Sequence, residues 1–253
     1  MKSLVKCLNT SLVISLFVLF PIHCLGQPKN VTVDSFDKVI VSPHISVTFV
    51  QGASEAVMVH TNTEPMDKLH IEVVGSTLRL YLDGAKMTTK HERVRNEKWK
   101  GKKAIYKGTV VTATVTYKKL KELSLRGEEQ FLCESPIEQS EFRLKLYGES
   151  EVHFNDVNLE RFTTTIYGES YLELKEGLIE KQKITAYGET KVNTLEVDTH
   201  HTKITAYGEG SYRIAVRDRL KVTAFGEATI AYQGSPEVNK GIVIGEATIQ
   251  KIN

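Results

Sequence analysis

The sequence predicts an all-β chain whose larger part is wound into a parallel β-helix, and three observations carry the prediction. The dipeptide Gly-Glu occurs seven times, with its glycines at Gly127, Gly148, Gly168, Gly188, Gly208, Gly226 and Gly245. The steps between them are 21, 20, 20, 20, 18 and 19 residues, a period that marks a stacked repeat architecture. On both sides of each glycine, apolar and polar residues alternate with period two, the pattern of a strand with one buried face. After the first 26 residues no stretch has helical periodicity. About seven C-terminal coils of ~20 residues are expected, spanning residues 119–253, with a strand-rich N-terminal part that continues or caps them.

Reading the repeats as columns assigns each position a side. Counting back from the glycine, the minus-four residues are Leu123, Leu144, Thr164, Ile184, Ile204, Val222 and Gly241. The minus-two residues are Leu125, Leu146, Ile166, Ala186, Ala206, Ala224 and Val243. These point inward, as do the plus-four residues Phe131, Val152, Leu172, Val192, Tyr212, Ile230 and Ile249. Glycine supplies the corner, where a side chain would clash. The outward columns are Arg143, Thr163, Lys183, Lys203, Lys221 and Lys240 at minus-five, Lys145, Thr165, Thr185, Thr205 and Thr223 at minus-three, and Tyr147, Tyr167, Tyr187, Tyr207 and Phe225 at minus-one. Just past the corner stands a line of acids: Glu128, Glu149, Glu169, Glu189, Glu209, Glu227 and Glu246. With adjacent rungs ~4.8 Å apart, seven rungs rise roughly 29 Å.

Upstream, residues 31–82 alternate in short β-branched runs divided by Gly, Pro, Asn and Asp turns, and strand character returns at Thr109–Tyr117. Between them residues 86–107 carry nine lysines and arginines against two glutamates, the composition of a solvated loop or ragged hairpin. The first 26 residues have the form of an export signal: Lys2 and Lys6, then the apolar run SLVISLFVLF, then small residues before Gln27. That run is too short for a membrane span, so the mature chain, 27–253, is expected without one. The rival is a lipid anchor on Cys24, for which the preceding FPIH is a poor context. Loss of this segment with its two lysines leaves 31 bases against 31 acids, and Cys133 as the sole cysteine. A nucleic-acid binder would carry a basic excess, and no internal disulfide can form.

Several stretches together resemble a known family. They are FDKVIVSPHISVTFVQG, GSTLRLYLDG, the entry VVTATVTYKKLKELSLRGE and the repeated turns, which span nearly all of the mature chain. The chain resembles the bacterial auto-transporter adhesins with a head GIN domain, common among secreted proteins of Bacteroidetes. The resemblance implies a right-handed β-helix and an adhesive role in the cell envelope. It departs in the turn, where the family often writes Gly-Ser-Gly-Asp and this chain writes Ala-Tyr-Gly-Glu.

The catalytic inventory is thin. GxSxG, HExxH, paired CxxC and P-loop signatures are all missing. His200 and His201, as strand neighbours, are expected on opposite faces and so not to share an ion. Cys133 is expected in the core. The acidic line carries most tension, since two unit charges ~5 Å apart repel by about 0.8 kcal/mol in water. Glu149, Glu169, Glu189, Glu209 and Glu227 are relieved either by hydration and lysine pairing or by a hard cation such as calcium, which takes several oxygens. No other cofactor is implied. The candidate binding strip comprises Tyr147, Tyr167, Tyr187, Tyr207 and Phe225 with Lys183, Lys203 and Lys221. It would grip a glycan or cell-surface protein, although stacked aromatic and β-branched residues also stabilise a sheet without any ligand. Three functions follow: a non-enzymatic exported binding or adhesion protein of the periplasm, outer-membrane surface or medium; a polysaccharide lyase built on a β-helix; or a self-associating scaffold forming oligomers. Short, almost insertion-free repeats argue against the lyase, whose site would need a cleft walled by long loops.

Overall fold

The computed structural model describes residues 28–96 and 99–253. The export segment and Cys24 lie outside the described residues. The order begins with β1 (Lys29–Thr32), β2 (Lys38–Val41), β3 (Ile45–Gln51) and β4 (Ala56–Asn62). After a single 3-10 turn come β5 (Leu69–Val74), β6 (Thr77–Leu82), β7 (His91–Asn96), β8 (Trp99–Ala104) and β9 (Val111–Tyr117). The repeats follow as β10 (Glu122–Gly127), β11 (Gln130–Cys133), β12 (Ile137–Gly148), β13 (Glu151–Phe154), β14 (Val157–Tyr167), β15 (Tyr171–Leu174), β16 (Gly177–Tyr187) and β17 (Thr190–Thr194). The long strands β18 (Val197–Ala215), β19 (Arg219–Gln233) and β20 (Glu237–Lys251) complete them.

The repeats form the expected parallel β-solenoid. Successive rungs pair in parallel and in register, Leu144 with Thr164, Thr164 with Ile184, Ile184 with Ile204 and Ile204 with Val222. Up to β19 the inward columns are buried as the alternation requires, and one hydrophobic core runs through them. Near its start Phe142, Phe154 and Phe162 pack at ring-centroid distances of 5.7–6.2 Å. The corner glycines hold φ between +105° and +127°. A Cβ on Gly168 would sit 2.4 Å from the carbonyl oxygen of Gly148, and one on Gly226 would sit 2.5 Å from that of Gly208. Glycine is therefore required twice over, for the backbone conformation and for the approach of the next rung.

The last rung departs from the column assignment. The ladder between β19 and β20 shifts between Val222 and Ala224, so Val222 faces Lys240 and not Gly241. One extra residue bulges out there, and the inward series resumes at Val243 opposite Ala224. On β20 Ile242 and Ile244 are 62% exposed and Val243, expected inward, is 39% exposed.

The N-terminal part both continues and caps the coil, but not in chain order. β2 pairs in parallel with β10 on one side and β6 on the other; β3 does the same with β11 and β9. The chain thus lays down β2 and β3, moves outward to place β6 and β9 beyond them, and returns to begin the repeats on the near side. Antiparallel strands close that end: β5 against β6, β4 against β9 and β1 against β4. The basic segment 86–107 is a separate antiparallel hairpin, β7 and β8, inserted between β6 and β9.

Two glycine substitutions test the corner argument. Gly75, at φ +63° in the β5–β6 turn, has nothing within 4 Å of the point where a Cβ would stand, so Gly75→Ala should cost only the left-handed strain of about 1 kcal/mol. Gly168→Ala adds the collision with the Gly148 carbonyl and should cost about 3 kcal/mol or more. Urea unfolding of the two variants measures the difference, and equal losses would remove the close-approach explanation.

Candidate functional site

In-register pairing converts every outward position into a column along the solenoid. Tyr147, Tyr167, Tyr187, Tyr207 and Phe225 pair rung to rung. Their rings stack with centroids 5.2, 4.8, 4.7 and 4.9 Å apart and planes within 7° of parallel. The Arg126 guanidinium heads the stack, 5.5 Å from the Tyr147 ring centroid, and also donates to the Lys86 carbonyl of the neighbouring loop. Because each ring covers the next, the column offers solvent its edges and phenolic hydroxyls rather than its faces. Tyr167 is 41% exposed and Tyr187 and Tyr207 are 37% exposed. The outer side of this column is therefore a row of ring edges and, for the four tyrosines, hydroxyls.

Beside it lie the half-buried threonines Thr165, Thr185, Thr205 and Thr223, and beyond them exposed Lys183, Lys203 and Lys221. Lys145, at the head of the threonine column, is tied to Glu122 at 2.7 Å. A second basic column, beyond the reach of the glycine-anchored count, stands two residues earlier: Arg161, Lys181, His201 and Arg219, paired rung to rung. A groove runs between the two columns over the inward-pointing Phe162, Gln182 and Thr202.

The acids Glu149, Glu169, Glu189, Glu209 and Glu227 are exposed in one line, and among the described residues none is in an ion pair. A shallow groove separates Glu189, Glu209 and Glu227 from Lys191, Ser211 and Thr229. Among the described residues no group of three or more His, Cys, Asp or Glu side chains is disposed to hold a metal ion. Cys133 is buried and free, with its thiol pushed well up by desolvation, as suits a core residue.

His200 and His201 do not take opposite faces. Both project outward, with ring centroids 6.4 Å apart, and both approach Glu180 at 3.8 Å, while His200 Nδ1 lies 2.8 Å from Asp218. The chain bends here between two faces of the coil, and a bend interrupts strict alternation.

Two polar clusters lie outside the columns. On the face after the corner, His153 lies between Glu173 at 2.9 Å and Glu151 at 3.0 Å, and Glu173 also accepts from Tyr171 and Asn193. The His153 contact holds the Glu151 carboxyl below its ordinary value; for Glu173, burial pulls upward but the three hydrogen bonds outweigh it. The second cluster sits where the repeats meet β3. Glu129 is only 4% exposed, accepts from the Glu128 amide and lies 4.0 Å from His44 Nδ1. His44 has φ +72°, and its ring meets the Gly108 carbonyl and the Thr89 hydroxyl. Since a carbonyl only accepts, Nδ1 carries a proton, and Nε2 shares a hydrogen bond with the Thr89 hydroxyl. Burial pushes the Glu129 carboxyl up. Its place in the repeat was the available signal: the same inward position is Ser150, Ser170, Thr190, Gly210 and Ala228 in later rungs. Ser150 and Ser170 there donate to the glycine carbonyls of the rung before, at 3.0 and 3.1 Å.

Comparison with known proteins adds the lineage. The family model described as "Putative auto-transporter adhesin, head GIN domain" matches residues 35–236. The chain belongs to this family. Members of the head GIN family are adhesins by that description, which assigns an adhesive and not a catalytic role. Similar solved structures include a "putative adhesin" from Bacteroides fragilis, 17% identical with a TM-score of 0.73, covering 89% of this chain and 96% of that one. Another is a "putative adhesin" from Parabacteroides merdae, 20% identical with a TM-score of 0.65, covering 89% and 95%. A "putative lipid binding protein" from Parabacteroides distasonis is 16% identical with a TM-score of 0.64, covering 90% and 96%. At these identities the likeness is one of fold. No curated protein matches the chain.

Glu129 gives a pH-dependent prediction. Its folded pKa is raised, so between the unfolded value, about 4.3, and the folded one the native state holds more protons than the unfolded state. Stability therefore falls as pH rises through that window. Glu129→Gln removes this loss, and its melting temperature should exceed that of the parent at pH 7.5 while matching it near pH 3.5. The acidic line gives a second. Exposed carboxylates in single file are expected to be hydrated, so calcium should raise the melting temperature no more than sodium chloride of equal ionic strength. A clear excess with calcium would reveal a native-state site by mass action.

Proposed function

We propose that the protein is an exported, non-enzymatic adhesin-type binding protein that holds a glycan or cell-surface partner against its lysine, threonine and tyrosine columns. The aromatic stack is the observation that carries this reading. Five rings are fixed within 7° of parallel, and the four tyrosines among them present their hydroxyls in a line that needs little ordering on binding. Threonine hydroxyls and lysine ammonium groups follow at alternate positions of the same strands, so donors and acceptors recur at every rung. Membership of the head GIN family supports the adhesive role. Export is supported by the segment before Gln27 and by the adhesin description of the family; among the described residues no helix is long and apolar enough to cross a membrane.

Replacing Tyr187 and Tyr207 by Thr keeps β-propensity and should cost only about 1–2 kcal/mol of stacking. The double variant should remain folded by circular dichroism yet lose the glycans that the parent retains on a glycan array. Unchanged retention would mean that the tyrosines serve the sheet alone.

A further inference from the structure

The groove between the two basic columns has features that the stack of tyrosines does not explain. Its walls are Arg161, Lys181, His201 and Arg219 on one side and Thr163, Lys183, Lys203 and Lys221 on the other, and it extends over four rungs, about 14 Å along the axis. Some of these charges are answered within the fold. Arg161 pairs with Glu141, Arg219 lies 3.4 Å from Glu237 and His201 lies 3.8 Å from Glu180. Lys181, Lys183, Lys203 and Lys221 have no carboxylate partner among the described residues. Three of them share one column, so the register that aligns the core also aligns like charges one rung apart.

We propose that this groove binds a linear anionic polysaccharide laid along the solenoid axis. The inference rests on the binding-face reading and names the ligand class for it. A polymer whose acidic groups recur along its length can meet one lysine after another, and no single small anion would span the four rungs. Sugar hydroxyls would then face the threonine and tyrosine hydroxyls beside the lysine column. A single-stranded nucleic acid is the competing polyanion, and the aromatic column argues against it. Proteins that hold single strands without sequence preference stack bases on free ring faces, whereas here each ring face is covered by the next ring.

The test uses the purified protein with four immobilised probes: dextran sulfate, polygalacturonate, neutral dextran and oligodeoxythymidine. The parent should bind the two acidic polysaccharides, weaken with added salt and ignore dextran. Changing Lys181, Lys183, Lys203 and Lys221 together to Gln should lower that affinity by about tenfold or more, while changing all four to Arg should retain it. A control with Lys29, Lys102, Lys103 and Lys107 changed to Gln loses the same charge elsewhere and should bind as the parent does. Thermal melts establish that each variant is folded. Equal loss in the control, tighter binding of oligodeoxythymidine than of either polysaccharide, or failure of the parent to bind both acidic polymers would overturn the inference. A neutral glycan that the lysine variant still binds and the Tyr187→Thr, Tyr207→Thr variant does not would overturn it too, while leaving the binding face itself intact.

Discussion

The corner glycines are the constraint on which the rest of the structure depends. At each rung the carbonyl oxygen of one glycine occupies the space where the next would carry a Cβ, 2.4 Å away at Gly168. The amides of Gly168 and Gly188 in turn donate to the carbonyls of Tyr187 and Tyr207 at 2.8 Å. Such close main-chain stacking tolerates little sliding, so it sets which residue sits above which. A slip of one residue would turn every inward side chain outward. Each rung has only its neighbours to pack against, and stability accumulates rung by rung.

The same alignment has opposite consequences for different columns. For aromatic rings it brings centroids to 4.7–5.2 Å, where each pair contributes about 0.5–1.5 kcal/mol beyond its burial. For charges it does the reverse: repulsion of about 0.8 kcal/mol per neighbouring pair in water grows to about 3 kcal/mol where the effective dielectric falls to 20. The protein relieves part of this by offsetting signs between rungs. Glu122 answers Lys145, Glu141 answers Arg161, Asp198 answers Arg217, and His153 bridges Glu151 and Glu173. The lysine column on the tyrosine face and the acidic line past the corner are left to solvent, which is why both belong to the outer surface.

The N-terminal part solves a different problem. A parallel coil ends in an open ladder, and exposed strand edges invite unwanted pairing. Here the chain folds β6 and β9 beyond β2 and β3, and antiparallel β5, β4 and β1 pair along their outer side. His44 marks the join between this cap and the repeats. It stands at the head of the acidic line, holds a left-handed backbone without being glycine, and is anchored by Gly108 and Thr89 above the buried Glu129. Backbone strain of this kind, of order 1–3 kcal/mol, persists where surrounding contacts over-determine the conformation.

The repeat, the inward and outward columns and the buried place of Cys133 were legible in the sequence alone, because period-two alternation and a glycine every 20 residues are local signals that survive without knowledge of what packs where. Leu144, Ile184 and Ile204 are inward for that reason, and Lys183 and Tyr187 outward. Where the backbone bends or bulges, counting fails: Gly241 falls out of its column at the β19–β20 bulge, and His200 and His201 both face out at a corner. The orientation of the tyrosine rings, the second basic column with Lys181, and the meeting of Glu129 with His44 were decided only by the tertiary structure. The order of β2, β6 and β10 belongs with them. Each of these depends on groups at least one full coil apart, or on main-chain turns between faces, and such distances are set by the stacked rungs and not by any residue's neighbours in the chain.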